Sequence, residues 1–455
     1  MKRTLLYLLT ALLCLTLMPT QAEFVVVAPT ESDAPAEGTA PTQALTPDTT
    51  TEPPTATPIS TPPSQPPLPT ETAPPTATPR PTPSPSPTPS PTPDPLTVMN
   101  EQVDRLFRRY QTVGGSVVVA RRGEIVYARD YGYKSLGRRT PVDENTYFRI
   151  ASVTKLVSGI GLMRLVDEGK LHLDRDISRY FGYKLRNPYF PDTPITLRQL
   201  MSHTASLTSG NGFAVGQRPL ESMLSLEANK RVWYANKEPG STYAYSNFGA
   251  GVAGALMEQA GGLSANAYMQ RHVFEPLGIT AAYAASLILT PEDLSHQYQD
   301  RQLFRSAQTY INNGYEDTAS PQTHYNTTYG GLWIRSRDLA RLGIALCEGG
   351  EVDGVRVLSR QSADAMGVPH QGAGSSVTAD SPYSLFVERT DKVLPGHVFL
   401  GHQGLLNGVI CRLYYEPETG FVIAMTTNGC STARRDRVSL LSIRLAEALY
   451  DFTMQ

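Results

Sequence analysis

One serine and one lysine stand at a spacing that can do chemistry. In Ala151-Ser152-Val153-Thr154-Lys155 the two polar side chains are three positions apart, and a strongly helical run, Leu156 to Glu168, follows before Gly169 stops it. If Ser152 opens that helix, Lys155 lies one turn on, on the same face and within reach of the hydroxyl. A helix N-terminus also presents free N–H groups and favours negative charge. A serine needs a base to take its proton, and a lysine whose charge is tuned by burial or by partners can be that base. The same residue also suits a plain helix cap. Ser-x-x-Lys occurs once, since none of the other seven lysines has a serine three residues earlier.

Two further polar patterns repeat. Tyr-x-Asn occurs three times, at Tyr234/Asn236, Tyr245/Asn247 and Tyr310/Asn312. Context favours the second. Pro239-Gly240-Ser241-Thr242 marks a turn before it and a small-residue helix from Phe248 to Gln259 follows, so Tyr245 and Asn247 can point from one loop into one cleft. Tyr234 and Tyr310 read as ordinary, partly buried tyrosines. His-Gln-Gly occurs twice. His370-Gln371-Gly372 sits in a polar Gly/Ser-rich stretch and reads as loop, whereas His402-Gln403-Gly404 ends the apolar run Val398-Phe399-Leu400. Glycine beside a sheet-edge histidine lets a substrate backbone come close.

These residues need a frame. Thr97 to Arg109 has Val98, Val103, Leu106 and Phe107 at helical spacing and ends at Gly114-Gly115. Ser116–Ala120 and Ile125–Ala128 flank Arg121-Arg122-Gly123-Glu124 as a β-hairpin. A second hairpin, Gly408–Tyr415 and Phe421–Thr427, precedes a last helix with Val438, Leu441, Leu445, Leu449 and Phe452 on one face. The middle of the chain is helical and loop-rich. The expected fold class is α+β: an antiparallel sheet formed by both chain ends, flanked by helices, with a mostly helical central insertion.

Composition bounds the partners. With 40 Lys+Arg against 42 Asp+Glu, the 455-residue chain gives no reason to expect nucleic-acid binding or a polybasic membrane surface. Cys14, Cys347, Cys411 and Cys430 form no C-x-x-C, which excludes a disulfide-stapled scaffold and matches no zinc spacing. Residues 1–22 read as an export signal: Lys2 and Arg3, then the apolar Leu5 to Met18, then Ala22 at a cleavage site before Glu23. An uncleaved anchor is the alternative, and Leu13 before Cys14 excludes a lipoprotein. Residues 23–95 read as a disordered Pro/Thr/Ser-rich linker, since 23 of the 37 prolines fall between Pro29 and Pro95. Fully extended, that segment reaches about 200 Å, as a spacer or as a simple tether. Residues 96–455 form the folded domain, placed by the signal outside the cytoplasm, secreted or wall-associated. The hairpin reading sets Cys411 near Met425 and not near Cys430, so no disulfide is expected there.

In order along the chain, these pieces resemble the serine β-lactamase and penicillin-binding-protein superfamily in its class C-like branch. The landmarks are Tyr147-Phe-Arg-Ile-Ala-Ser152-Val-Thr-Lys155, Leu200-Met-Ser-His203-Thr204, Pro239-Gly-Ser-Thr-Tyr-Ala-Tyr245-Ser-Asn247-Phe-Gly249 and Phe274-Glu-Pro-Leu-Gly278. Gly330-Gly-Leu332, Asp338-Leu-Ala-Arg-Leu342, Arg356-Val-Leu-Ser359 and Gly401-His402-Gln-Gly404 complete the set. The resemblance implies that Ser152 is the acylated nucleophile and that Lys155 and Tyr245 shuttle its proton, Tyr245 nearest the leaving group. It implies that Asn247 holds the substrate's amide and that His402 polarises the Tyr245 hydroxyl. The N–H groups of Ser152 and of Leu405, the residue after Gly404, would form the oxyanion hole. No metal or organic cofactor is implied. Two departures stand out. Gln403 replaces the usual hydroxyl residue that helps bind a substrate carboxylate, and His203-Thr204-Ala205-Ser206-Leu207 replaces the usual His-Thr-Ser-Gly-Leu.

The expectation is an exported serine hydrolase, a D,D-carboxypeptidase acting on peptidoglycan stem peptides. A β-lactamase or small-ester hydrolase would use the same residues, and His402-Gln403-Gly404 in place of Lys-Thr-Gly argues against an efficient lactamase. A third reading is a catalytically silent wall-binding module that keeps the fold. The partner is a peptide or small-molecule substrate, with the membrane or wall close by through the N-terminus.

Overall fold

Alternation along β1 (Gly114–Arg121) explains the layers. Val118 and Ala120 enter one apolar cluster and Val117 and Val119 another, because successive side chains leave a strand on opposite faces. A strand buried on both faces must be covered on both. The computed structural model describes residues 94–209, 219–224, 230–314, 317, 327–370 and 383–454. Contacts within the chain gather them into one unit, Thr88–Gln455. The expected signal and the linker up to residue 93 lie outside the described residues.

Next to β1 run β2 (Glu124–Ser135) and β3 (Thr140–Pro141), then, from the other chain end, β4 (Glu388–Thr390), β5 (Phe399–Leu406), β6 (Val409–Glu416) and β7 (Phe421–Thr427). They form one antiparallel sheet in the order β4-β5-β6-β7-β1-β2-β3, so the first and last parts of the chain meet at β1 and β7. This is the expected α+β arrangement. β2 is longer than the sequence reading, and its pairing is kinked by a register shift beside Val119 and Ala120.

Terminal helices α1 (Pro95–Arg109) and α6 (Leu440–Met454) cover one face, through Val103, Phe107, Leu441, Leu445 and Leu449. Helix α1 starts two residues before the expected Thr97. Asp94 caps it by accepting from Thr97 N, and Pro95 takes a first-turn position where its missing N–H does no harm. Val438 belongs to a two-residue strand just before α6 rather than to the helix. The other face meets the helical middle. Its axis is α2 (Val153–Asp167), apolar on nearly every side, as a helix through a core must be. Against it packs α4 (Asn247–Gly261), with α3 (Leu197–Met201) beside α4, while α5 (Ser336–Cys347) lies on the sheet.

Cys347, Cys411 and Cys430 are all buried free thiols. The β6–β7 register pairs Met425 with Arg412, one residue from the expected Cys411. Cys411 and Cys430 nevertheless share a neighbour, since both sulfurs approach Thr427, at 4.0 and 3.6 Å.

Candidate active site

Ser152 enters α2 directly after Ala151, whose backbone is left-handed at φ 46°. Such a conformation is strained for a residue with a Cβ and must be held by its surroundings. The hold is visible. Strand Tyr147–Arg149 pairs with Trp333–Arg335, Ile150 N donates to Leu332 O at 3.0 Å, and Arg149 Nε donates to Gly330 O at 3.0 Å.

Ser152 makes no capping bond to its helix. Its Oγ lies 3.0 Å from Lys155 Nζ, the contact expected for residues one turn apart. Lys155 is 0% exposed and also donates to Tyr329 O at 2.8 Å. Burial disfavours the ammonium and holds its pKa well below the ordinary lysine value, so the amine is available as a base.

Tyr245 comes from the turn before α4, where Ser246 caps the helix by accepting from Gly249 N at 2.8 Å. Burial raises the pKa of its phenol far above that of a free tyrosine, and the nearby Ser152 side chain opposes that rise. Asn247 is the first residue of α4 rather than a loop residue. Its N–H donates to Ser209 Oγ at 3.0 Å, and its Oδ1 is buried with no hydrogen-bond partner among the described residues. A buried amide left unpaired in a cleft wall is ready for a polar group of a ligand.

His402 makes no hydrogen bond to Tyr245, although their ring centroids lie 6.4 Å apart. Its Nδ1 lies 2.6 Å from the Gln403 carbonyl, which can only accept, so the ring proton is on Nδ1. Nε2 therefore accepts from the Tyr383 hydroxyl at 2.9 Å. Burial lowers the His402 pKa to about 3 and keeps the ring neutral. The expected direct polarisation of Tyr245 by His402 is absent from this arrangement, because the only free lone pair of the ring is already engaged. Gly404 brings β5 onto the nucleophile: a Cβ there would come within 2.2 Å of Ile150 O. Ser152, Tyr245, Asn247, His402, Gln403 and Leu405 thus line one cleft of about 770 Å³.

The profile of the Beta-lactamase family matches residues 99–448, nearly the whole folded part. The chain belongs to the Beta-lactamase family. It is 31% identical over 212 residues to esterase EstB of Burkholderia gladioli, covering 44% of this chain and 53% of that one. It is 28% identical over 185 residues to D-alanyl-D-alanine-carboxypeptidase/endopeptidase AmpH of Escherichia coli K12, covering 40% and 48%. The matched segments thus span about half the length of these curated relatives. Among solved structures, a class C β-lactamase superposes with a TM-score of 0.61 at 19% identity, covering 78% of this chain and 97% of its own. This chain is therefore a Beta-lactamase-family protein with the fold of a class C β-lactamase.

Within this family frame, Gln403 has its own use. Its Nε2 donates to Glu388 Oε1 at 2.9 Å, and its Oε1 accepts from Arg412 Nη1 at 2.7 Å. Gln403 and Arg412 are cross-strand partners, Arg412 is 1% exposed, and burial raises the Glu388 pKa while the Arg412 charge opposes that rise. The glutamine carboxamide bridges a buried cation to its counter-ion. It is thereby drawn to the terminal-helix side of the sheet.

The other repeated motifs stay apart. Tyr310 packs on Trp333 and donates to Gln297, and Tyr234 lies under Lys237, 4.3 Å from the ring centroid. His370 contacts Arg198, and Gln371 and Gly372 lie outside the described residues. Sequence reasoning missed Tyr383, Tyr329, Glu388 and Arg412. None belongs to a spaced motif. The one signal available was the two-residue alternation on β5 and β6, which puts Gln403 and Arg412 on the same face.

Proposed function

We propose that this protein is a serine hydrolase that works through an acyl-enzyme at Ser152 and acts as a D,D-carboxypeptidase on cell-wall peptides outside the cytoplasm. The carrying observation is the Ser152 Oγ 3.0 Å from the buried amine of Lys155, which lies 5.1 Å from the Tyr245 ring centroid. In this reading the neutral Lys155 amine takes the Ser152 proton as Oγ attacks the substrate carbonyl. The charge that builds on the carbonyl oxygen is met by the N–H groups of Ser152 and Leu405. Loss of one such donor costs about 10²–10³ in turnover. Tyr245 passes a proton to the departing amine while its own proton is replaced from Lys155, so no net charge is left behind. Water then cleaves the ester by the same path in reverse. The leader and the proline-rich linker support a site of action outside the cell membrane, and the likeness to AmpH supports the peptide substrate.

Carboxylate recognition falls to another residue in this reading. Arg389 pairs across with Leu400, and Leu400 shares its strand face with His402, so Arg389 stands on the catalytic side of β4 and lines the cleft. Its guanidinium suits a peptide C-terminus. The engaged Gln403 favours a second reading, a small-ester hydrolase with no need for a carboxylate.

A fluorescent penicillin or fluorophosphonate that labels the wild type and not Ser152→Ala supports the acyl-enzyme and excludes a silent module. Equal labelling of the two proteins refutes it. Release of D-alanine from a D-Ala-D-Ala peptide, with KM raised by Arg389→Ala, supports the peptidase. Ester cleavage alone supports the second reading.

A further inference from the structure

We propose that His203 is a positioning residue for Tyr245, gripping the turn that carries the phenol from both sides and keeping its hydroxyl against Ser152. The proposal rests on the acyl-enzyme reading of Ser152.

His203 follows α3 and is 2% exposed, with a left-handed backbone at φ 56°. Its carbonyl accepts from Ala244 N at 2.8 Å, and its ring Nδ1 accepts from Ser246 N at 3.2 Å. Tyr245 is the residue between those two donors. One histidine therefore ties the main chain immediately before and immediately after the phenol-bearing residue.

The ring also supports the phenol by contact. Its centroid is 4.3 Å from that of Tyr245 and 4.9 Å from that of Tyr383, the tyrosine that donates to His402. Phe386 and Tyr243 close the other sides at 5.6 and 6.0 Å. The imidazole thus packs on both phenol rings, whose own centroids are 6.5 Å apart edge to face, and the Tyr383 hydroxyl goes on to His402.

Accepting from Ser246 N requires a lone pair on Nδ1, so the ring must be neutral with its proton on Nε2. Nε2 has no hydrogen-bond partner among the described residues, although it is buried. Burial above all disfavours protonation, and the titratable neighbours are Lys155, His402 and the phenols of Tyr243, Tyr245 and Tyr383. A histidine fixed neutral here is an acceptor and a spacer, not a proton carrier.

The test compares His203→Phe and His203→Asn in the full chain. Phenylalanine keeps an aromatic ring and removes the acceptor. Asparagine can offer its amide oxygen near the Nδ1 position and tolerates a left-handed backbone. Stopped-flow acylation by a chromogenic ester or β-lactam is read with KM. We expect His203→Phe to slow acylation about 100-fold, the scale of a small misplacement of a reacting group, with KM changed less than about threefold. His203→Asn should recover the rate to within about fivefold of wild type. In a Tyr245→Phe background, His203→Phe should add less than about threefold, because both changes act on the same phenol. Equal losses in Phe and Asn variants, or the same loss in both backgrounds, would overturn the proposal. If His203→Phe does not fold, His203→Gln replaces it, since its amide oxygen reaches the Nε2 position instead. A fast Asn variant beside a slow Gln variant supports the grip, and equal rates overturn it. Loss of the acyl-enzyme reading is distinguishable, because wild type and Ser152→Ala would then label alike.

Discussion

Replacing Lys155 by methionine separates its chemistry from its burial. Lys155→Met keeps a flexible chain of nearly the same length, so no large cavity opens. It removes the base, and acylation should fall by about 10²–10⁴. The decisive readout is stability against pH. Burial lowers the folded pKa of Lys155 well below the ordinary lysine value. Between that lowered value and the unfolded one, the unfolded chain holds a proton that the folded chain lacks, so the wild type gains stability as pH rises. One proton corresponds to a slope of about 1.4 kcal/mol per pH unit. The wild type should therefore gain stability relative to Lys155→Met as pH rises through that window, at no more than about 1.4 kcal/mol per pH unit. The Tyr329 carbonyl loses its donor in the variant, at a cost of about 1–3 kcal/mol. That cost is the same at every pH and leaves the slope untouched. Urea unfolding followed by tryptophan fluorescence suits the measurement, because Trp233 and Trp333 are both buried. Parallel stability curves for the two proteins would show a charged Lys155 in the folded state and refute the proposed proton path.

The same amine sets the pH dependence of the reaction. Acylation should rise as Lys155 loses its proton and level off below pH 10, since its folded pKa lies well under 10.5. A stopped-flow profile still climbing past that point would make the Tyr245 phenolate the base instead. His402, with a pKa of about 3, should add no inflection near neutrality. Gly404→Ala should lower acylation by at least about tenfold, because its Cβ would fall 2.2 Å from Ile150 O and push β5 off the loop that carries Ser152. The folded spectrum should survive, and full activity in a folded Gly404→Ala would refute the close packing of β5 on the nucleophile.

Ser152 and Lys155 were legible because their meeting is local: a helix brings residues three apart onto one face whatever surrounds it. Tyr245 and His402 were legible only through the ordered landmarks around them, since Tyr-x-Asn and His-Gln-Gly each recur elsewhere as loop or core. The partner of His402 was not legible. Tyr383 is 19 residues away and reaches Nε2 by folding of a segment with no periodic signature. The fate of Gln403 was half legible. Its departure from the usual hydroxyl can be read directly, but its bridge from Arg412 to Glu388 depends on the pairing register of three strands.

By itself the sequence determined the local units: a serine at a helix tip with lysine one turn on, strands that alternate between two apolar faces, and a low-complexity Pro/Thr/Ser-rich N-terminal segment. These follow from periodicity and composition, which act over a few residues. Only the tertiary structure decided how charge and protons are disposed. It buried Lys155 without a carboxylate, turned His402 toward Tyr383, tied Gln403 into the sheet and set His203 behind Tyr245. Desolvation and hydrogen-bond pairing depend on everything that packs around a group, and the neighbours that matter here come from segments far apart in the chain.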